Sequence, residues 1–288
     1  LMDLFYEQLP FRRKMRVHFH RFMQRVHKDL ADLQGTKDPL TAVAERIHDE
    51  AVVICFDEFF VTDIADAMIL GGLFEALFAR GVTLVATSNI VPDRLYENGL
   101  QRQRFLPAIA MVKQFCRVLN VDSGMDYRLR VLEQAELYHS PLGEAANASL
   151  ANSFRGITHG QVVLHAPIDI NDRLVEVICR TDDVLMCRFS ELCEKPRSAH
   201  DYIEIAREYH SVVLADVPAL GASNDDAARR FINLVDEFYD RSVKLIIAAD
   251  RPILALYSEG RLSFEFQRTQ SRLQEMQSRD YLAREHRS

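Results

Sequence analysis

Short apolar runs along the chain alternate with longer segments in which apolar residues recur every three or four positions. The runs AVVICF at 51–56 and VTLVAT at 82–87 are rich in β-branched residues and predict buried parallel strands. The segment between them, IADAMILGGLFEALFARG, predicts a helix that ends at Gly81. A strand, a helix and a second strand in this order indicate a right-handed crossover within a parallel α/β sheet.

The neighbouring segments extend this pattern. Residues 15–23, MRVHFHRFM, alternate as a half-exposed strand would, and residues 24–50 have helical spacing interrupted by a turn at 35–39. A helix around 104–116 and a strand in CRVLNVD follow. The opening LMDLFYEQL has a helical apolar face but no preceding capping residue, which predicts that the chain starts inside a helix.

The pattern changes between 140 and 190. QVVLHAPIDI, RLVEVICR and VLMCRF are separated by turn-forming residues and predict a small antiparallel insertion. The α/β pattern then returns with a helix at 200–209, the strand SVVLADV, a helix at 226–240 and the strand VKLIIAA. A last strand, LSFEF, is predicted to lead into a terminal helix at 269–284. We therefore expect three parts, at 1–135, 136–195 and 196–288.

Composition narrows the class of protein. The 288 residues are 48% hydrophobic and 27% charged, as in an ordinary globular protein. The net charge of -7 argues against nucleic acid as a partner, although a local basic stripe stays open. Five scattered cysteines without a CxxC pair favour reduced thiols and a cytoplasmic location. No apolar stretch reaches the ~18 residues of a membrane-spanning helix.

Two acidic residues follow the first buried strand directly. In VVICFDEFF, Asp57 and Glu58 must emerge at the carboxyl end of the strand, where open α/β sheets bind ligands. In P-loop ATPases an Asp at this point helps to hold Mg²⁺ and an adjacent Glu polarises the attacking water. The alternative is a core strand that passes into an acidic surface loop.

Three further residues extend this candidate site. VTLVATSN brings Asn89 to the same edge of the sheet, where a neutral amide can orient water or contact the terminal phosphate. Arg102 and Arg104 follow the turn at Asn98–Gly99, and a guanidinium there can act as an arginine finger in a neighbouring subunit. The alternatives are a turn or helix cap at Ser88–Asn89 and solvated arginines at a helix start.

The phosphate-gripping motif GxxxxGK[ST] is absent from the 288 residues. In a P-loop fold this loop precedes the first helix, so we expect it immediately before Leu1. On this expectation the 288-residue chain by itself is inactive. Its alternative function is that of a non-catalytic interaction module, and a third hypothesis is a metal-dependent phosphohydrolase built on Asp57 and Glu58.

Long stretches resemble the ZapE family of cell-division ATPases and its mitochondrial relatives. The resemblance covers nearly the whole chain and includes LMDLFYE, RVHFHRFM, CFDEFFVTDIADAMIL, ATSNIVPDRLYENGLQRQRFLPAI, DYRLR, HDYI, ARRFINLVDEFYDRSVKL and FEFQRTQSRLQEMQSRDYL. It implies an AAA+-like P-loop ATPase fold, with a parallel sheet, flanking helices, a small antiparallel insertion and a C-terminal helix.

The resemblance also implies roles. Asp57 and Glu58 look like the Walker B pair, in which Asp57 is the ligand of Mg²⁺ and ATP. Asn89 looks like sensor 1. Arg102 looks like the arginine finger, and Arg104 is the second candidate for that role. In the family a GxxGxGKT loop lies directly upstream of LMDLFY. The implied protein client is FtsZ at the bacterial division ring, on the inner face of the membrane, with peripheral membrane association left open. A homo-oligomer is implied in the ATP-bound state.

Several side chains keep two interpretations. Arg268 and Arg272 can act as sensor 2 arginines that reach the nucleotide, or cover apolar surface on a closing helix. His18 and His20 share one face of the predicted strand, which can bind metal, although a solvated face is the simpler interpretation. Asp63 is predicted to cap the helix that it precedes, while Asp63 and Asp66 can also support the Mg²⁺ shell.

Overall fold

The computed structural model describes residues 2–121, 129, 132, 135–158 and 162–287. The chain divides into two compact units, an N-terminal unit at 1–123 and a C-terminal unit at 124–288. Both predicted boundaries, after residues 135 and 195, lie inside the second unit. Among the described residues, no helix combines the length and the apolar character that crossing a bilayer requires.

The N-terminal unit is built on three parallel strands in the order β1 (Lys14–His18), β2 (Val53–Asp57) and β3 (Thr83–Ala86). Its helices are α1 (Met2–Gln8), α2 (Phe19–Asp32), α3 (Pro39–Glu50), α4 (Ile64–Ala79) and α5 (Leu106–Phe115). This arrangement confirms the predicted parallel α/β sheet and its crossover helices.

Strand β2 is buried on both faces. Ile54 and Phe56 belong to the core formed with α2, α3 and α4, whereas Val53 and Cys55 pack with Met2 of α1 on the opposite face. Side chains alternate along a strand, so Asp57 belongs to the face that α1 covers. Burial on both faces explains why this run is continuously apolar rather than alternating.

Two sequence predictions in this unit are wrong. The strand predicted at 15–23 ends at His18, because residues 19, 22, 23 and 26 form a helical apolar stripe that is buried in the core. His20 therefore lies on α2 and does not share a strand face with His18. The predicted strand CRVLNVD has no strand structure at 116–121, and its last residue lies outside the described range.

The C-terminal unit contains a six-stranded sheet in the order β4-β11-β10-β9-β8-β5 and a separate hairpin, β6–β7. The strands are β4 (Tyr138–His139), β5 (Val163–Leu164), β6 (Ile168–Ile170), β7 (Arg173–Val175), β8 (Cys179–Arg180), β9 (Val184–Arg188), β10 (Ser211–Val217) and β11 (Lys244–Ala249). The helices are α6 (Glu144–Ile157), α7 (Ala199–Glu208), α8 (Asp225–Asp240), α9 (Ser263–Glu275) and α10 (Arg279–Leu282).

Strands β4, β11, β10 and β9 are parallel, and β8 and β5 add antiparallel pairs at one edge. VLMCRF is thus a strand of the main sheet, and the antiparallel elements are smaller than the sequence predicted. The start of QVVLHAPIDI at residue 161, and most of DYRLR, lie outside the described residues. Helices α8 and α9 pack on one face of the sheet and α6 packs on the other.

The predicted strand LSFEF is also wrong, because these residues begin helix α9. Phe266, Thr269 and Leu273 are buried at helical spacing, whereas Phe264 is 83% exposed. The apparent alternation of Leu262, Phe264 and Phe266 is therefore incidental to a helical pattern. The predicted C-terminal helix is confirmed in α9, and α10 follows it.

Candidate functional site

The carboxyl ends of β2 and β3 are joined by backbone hydrogen bonds. Phe56 pairs with Ala86, and the next amide, that of Thr87, donates to the Phe56 carbonyl at 3.0 Å. The amide of Phe59 then donates to the Thr87 carbonyl at 2.8 Å. The segments that carry Asp57–Glu58 and Ser88–Asn89 therefore lie side by side at one edge of the sheet.

Asp57 is the last residue of β2, as predicted, and its side chain is only 15% exposed. Its Oδ2 accepts a hydrogen bond from Nε of Arg16 at 2.7 Å. Arg16 lies on β1 and also pairs with Asp3 in the first turn of α1. Asp57 Oδ1 accepts no hydrogen bond from the described residues, so one carboxylate oxygen remains available to a ligand.

The thiol two residues before Asp57 is in a strongly unfavourable place to ionise. Cys55 is fully buried, and burial first, followed by the negative charge of Asp57, raises the pKa of its thiol. Neutral thiols are poor nucleophiles and poor metal ligands. We therefore assign Cys55 to packing under α1.

Glu58 has a left-handed backbone conformation, with φ of 54°. This region is sparsely populated by residues with a side chain, and its cost is met here by neighbouring contacts. The Glu58 amide donates to the Thr87 hydroxyl at 3.3 Å, and Phe59 enters the core directly afterwards. Because of this turn, the Glu58 side chain does not follow the alternation of side chains along β2.

For Ser88 and Asn89 the sequence left two interpretations open, a turn or helix cap and a contact with a ligand. The Ser88 hydroxyl donates to the Phe59 carbonyl at 2.7 Å and accepts from the Ile90 amide at 3.1 Å, so Ser88 builds the turn. Asn89 is exposed and its side chain makes no hydrogen bond to the residues that the structure describes. Its amide is thus available to a ligand at the edge where Asp57 lies.

Arg102 begins a short 3₁₀ turn, Arg102–Arg104, after the left-handed Gln101. It is half-buried, and its Nη2 donates to the Asp93 carbonyl at 2.6 Å. Its Nε is buried and finds no acceptor among the described residues. Arg104 is exposed and donates to the Gln101 side chain at 3.2 Å. Arg102 is therefore held against its own unit, while Arg104 projects from it.

Arg268 and Arg272 lie on α9, and both pair with Asp236 of α8. Arg272 also lies over the Tyr239 ring, 4.8 Å from its centroid. These contacts join α9 to α8, and the interpretation in which the two arginines cover apolar surface also stays a prediction. A nucleotide role for either arginine remains a prediction.

Near the start of α4, Asp63 accepts hydrogen bonds from the amides of Ala65 and Asp66, so its prediction as a helix cap is confirmed. Asp66 accepts from the His27 ring at 2.6 Å. The sequence did not reveal that His27 binds Asp66 or that Arg16 binds Asp57. The alternation of β1, which puts Lys14, Arg16 and His18 on one face, was the available signal for Arg16.

The donor set at this edge suits a magnesium ion. Mg²⁺ prefers oxygen ligands and is usually bound through one or two carboxylates together with phosphate and water. Asp57 offers one uncommitted carboxylate oxygen, and Glu58 and Asn89 follow the same strand ends. A carboxylate that holds the metal, a second that polarises water and an amide that contacts phosphate make up a phosphoryl-transfer site.

Comparisons with known proteins identify relatives of this chain. The model of a family described as AFG1-like ATPase matches residues 1–285. The chain is 54% identical over 286 residues to the cell division protein ZapE of Escherichia coli K12, covering 99% of this chain and 76% of that protein. It is 38% identical over 327 residues to Lactation elevated protein 1 homolog B of Danio rerio, covering 98% and 65% respectively. No solved structure gives a significant match.

Proposed function

The chain belongs to the AFG1-like ATPase family, and from this premise we propose that the protein expressed from its complete reading frame hydrolyses ATP with Mg²⁺ at Asp57 and uses the reaction to rearrange a protein partner. ATPase activity is the property that the family description gives. The metal dependence, the roles of individual residues and the coupling of hydrolysis to a protein partner are our proposal. The reaction is attack of water on the γ-phosphorus, which releases ADP and inorganic phosphate.

One observation supports the proposal more than any other. Asp57 and Glu58 leave the carboxyl end of β2 beside the segment that carries Asn89, and backbone hydrogen bonds tie the two segments together. Ligands of open α/β sheets bind at this edge. An acidic surface loop, the alternative for Asp57, would leave this carboxylate solvated, whereas it is 15% exposed and directed by Arg16.

We propose a role for each of these side chains, taken from the family resemblance and compatible with their positions. Asp57 would hold Mg²⁺ through Oδ1, because Oδ2 accepts a hydrogen bond from Arg16. Glu58 accepts a hydrogen bond from the attacking water and increases its nucleophilicity. Asn89 donates its amide to the terminal phosphate without adding negative charge. Bound Mg²⁺ would draw negative charge away from the terminal phosphates.

Arg102 is our first candidate for stabilising the phosphate of a neighbouring subunit, with Arg104 second. Arg102 must give up its bond to the Asp93 carbonyl to reach a neighbour, whereas Arg104 is already exposed. Arg102→Ala and Arg104→Ala should therefore be compared as ATPase rate against protein concentration. The variant that removes the concentration-dependent increase identifies the finger, and a loss in neither removes both arginines from this role.

The proposed partner is FtsZ, and the proposed place is the cytoplasmic face of the division site. The support is the family resemblance and the name of the E. coli relative, a cell division protein. Purified protein from the complete reading frame should change the sedimentation of FtsZ polymers in the presence of ATP. An unchanged sedimentation with both ATP and ADP would remove FtsZ as the partner.

Replacing Glu58 with Gln tests the catalytic proposal. The amide keeps the size of the side chain but cannot accept a proton from water, so turnover should fall about 10²-fold or more. Nucleotide binding, measured by titration calorimetry, should stay within a few-fold. The control is Glu75→Gln, the same chemical change at an exposed position of α4. Full turnover in Glu58→Gln would remove Glu58 from the mechanism.

A further inference from the structure

We propose that Arg16 is a positioning residue that orients the Asp57 carboxylate for the metal and links it to helix α1. The inference rests on the proposed function, in which Asp57 holds Mg²⁺. It concerns a residue on the neighbouring strand, which contacts the carboxylate rather than the nucleotide.

The location of Arg16 follows from the register of the sheet. Arg16 pairs with Cys55 in the parallel ladder between β1 and β2, so both side chains lie on the face that α1 covers. Asp57 is two residues beyond Cys55 and lies on the same face. The guanidinium thus reaches diagonally from β1 to the end of β2, where Nε lies 2.7 Å from Asp57 Oδ2.

The contact is partly shielded from water. The side chain of Arg16 is 21% exposed and that of Asp57 is 15% exposed. A charge-assisted hydrogen bond in such surroundings restricts rotation of the carboxylate. Because Oδ2 is committed to Arg16, the opposite oxygen is the one presented to a cation.

Arg16 also has a second contact. Its Nη1 pairs with Asp3 in the first turn of α1, so a single guanidinium joins that helix to the end of β2. Lys14, on the same face of β1, holds the other end of α1 by donating to the carbonyls of Tyr6 at 2.6 Å and Leu9 at 2.9 Å. Lys14 therefore anchors α1 without contacting Asp57.

Arg16 and Lys14 both contact α1, but only Arg16 contacts Asp57, so variants of the two residues form a matched pair. Arg16→Met removes the guanidinium and with it the contacts to Asp57 and Asp3, and Lys14→Met removes an anchor of the same helix from the same strand. Asp3→Asn weakens only the helix contact of Arg16. A lysine at position 16 keeps the charge but offers one compact donor in place of the planar fork, so Arg16→Lys should restore function only in part.

The first measurement uses the nucleotide-free protein. The Nε–H group of Arg16 should give a protected signal in ¹H–¹⁵N spectra, because Nε is the atom that binds Asp57. Asp57→Asn should shift this signal and speed its exchange with water, whereas Asp3→Asn should leave its protection largely intact. A signal that is insensitive to Asp57→Asn would overturn the inference without reference to catalysis.

The second measurement separates orientation from stability. Because misplacing a catalytic group by ~1 Å costs up to ~100-fold in rate, Arg16→Met should lower kcat by about 10- to 100-fold and raise the Mg²⁺ concentration at half-maximal rate. KM for ATP should change by no more than about twofold, since on this proposal Arg16 acts on the Asp57 carboxylate and not on the nucleotide. Lys14→Met should lower the melting temperature comparably but keep kcat near that of the parent.

The outcomes are distinguishable. Equal kinetic losses in Arg16→Met and Lys14→Met would show that Arg16 acts only by holding α1, which overturns the inference. A parental kcat in Arg16→Met overturns it as well, provided that Glu58→Gln is inactive. If the parent protein shows no Mg²⁺-dependent ATP turnover, the proposed function itself fails, and the spectroscopic result for Asp57→Asn still decides whether the Arg16 contact exists.

Discussion

Gly99 lies in the turn that leads to Arg102, and we expect the single change Gly99→Ala to destabilise the N-terminal unit. A Cβ at this position would lie 2.1 Å from Cζ and 2.2 Å from Cε1 and Cε2 of the Tyr96 ring. Ordinary contact begins at 3.4 Å, so the ring must move by more than 1 Å. Alanine therefore cannot be accommodated by a small adjustment.

The Tyr96 ring has little freedom to move. It is 6% exposed, packs edge-on against Phe105 with centroids 5.7 Å apart, and donates its hydroxyl to the Leu100 carbonyl at 3.0 Å. Overpacking a buried site costs about 1–3 kcal/mol, and losing the hydroxyl hydrogen bond adds about 1 kcal/mol. The expected loss is about 2–4 kcal/mol in the free energy of unfolding of this unit.

Urea unfolding followed by circular dichroism, with hydrogen exchange to assign the transition to residues 1–123, measures this loss. Gly71→Ala is the control, because no atom of the described residues lies within 4 Å of the added Cβ and alanine favours the interior of α4 by about 0.5–1 kcal/mol. Tyr96→Leu removes the clashing ring atoms. In the double variant the two losses should be less than additive by about 1 kcal/mol or more. Additive losses, or a stable Gly99→Ala, would refute the steric argument.

Three further expectations concern the C-terminal unit. Lys244→Met should cost about 2–4 kcal/mol and speed hydrogen exchange in α10, because buried Lys244 donates to the carbonyls of Ser242, Tyr281 and Arg284. Gly260→Ala should lower the melting temperature by several degrees, roughly 2 kcal/mol, because φ is 156° and the Cβ would lie 2.0 Å from the Tyr257 hydroxyl. Burial raises the pKa of the Cys193 thiol, so above pH ~8.5 the unfolded chain binds fewer protons than the native one and the free energy of unfolding should fall. Urea titrations across that pH range should show a smaller slope for Cys193→Ala.

Local sequence patterns were sufficient to predict the central strands of the N-terminal sheet and the helix between them. The runs that became β2 and β3, the helix between them and its cap at Asp63 are each specified within a few residues of sequence. Continuous apolar runs and capping residues act locally, because they decide burial on both faces and the first turn of a helix. Asp57 could be located for the same reason, as the first polar residue after a buried run.

The predictions of secondary structure were wrong where an alternating pattern and a helical pattern overlap. MRVHFHRFM satisfies an alternating pattern, but Phe19, Phe22 and Met23 also satisfy a helical one, and burial against the sheet selects the helix. LSFEF failed in the same way. In the C-terminal unit, VLMCRF pairs antiparallel with β8 as predicted, but β9 also pairs in parallel with β10 after the crossover helix α7, which the sequence did not reveal. Pairing across a crossover is a long-range choice that short windows of sequence do not contain.

The same limit applies to the candidate site. A strand-end carboxylate can be found from its own run of residues, but its orientation depends on a neighbour that a parallel sheet supplies from far away in sequence. Here the neighbour is Arg16, 41 positions before Asp57 and in register with Cys55 across β1 and β2. The cue was a cation in an alternating strand, on the face that must lie beside the carboxylate. In parallel α/β proteins, residues that position a strand-end acid should therefore be sought on the adjacent strand, about one pleat before its carboxyl end.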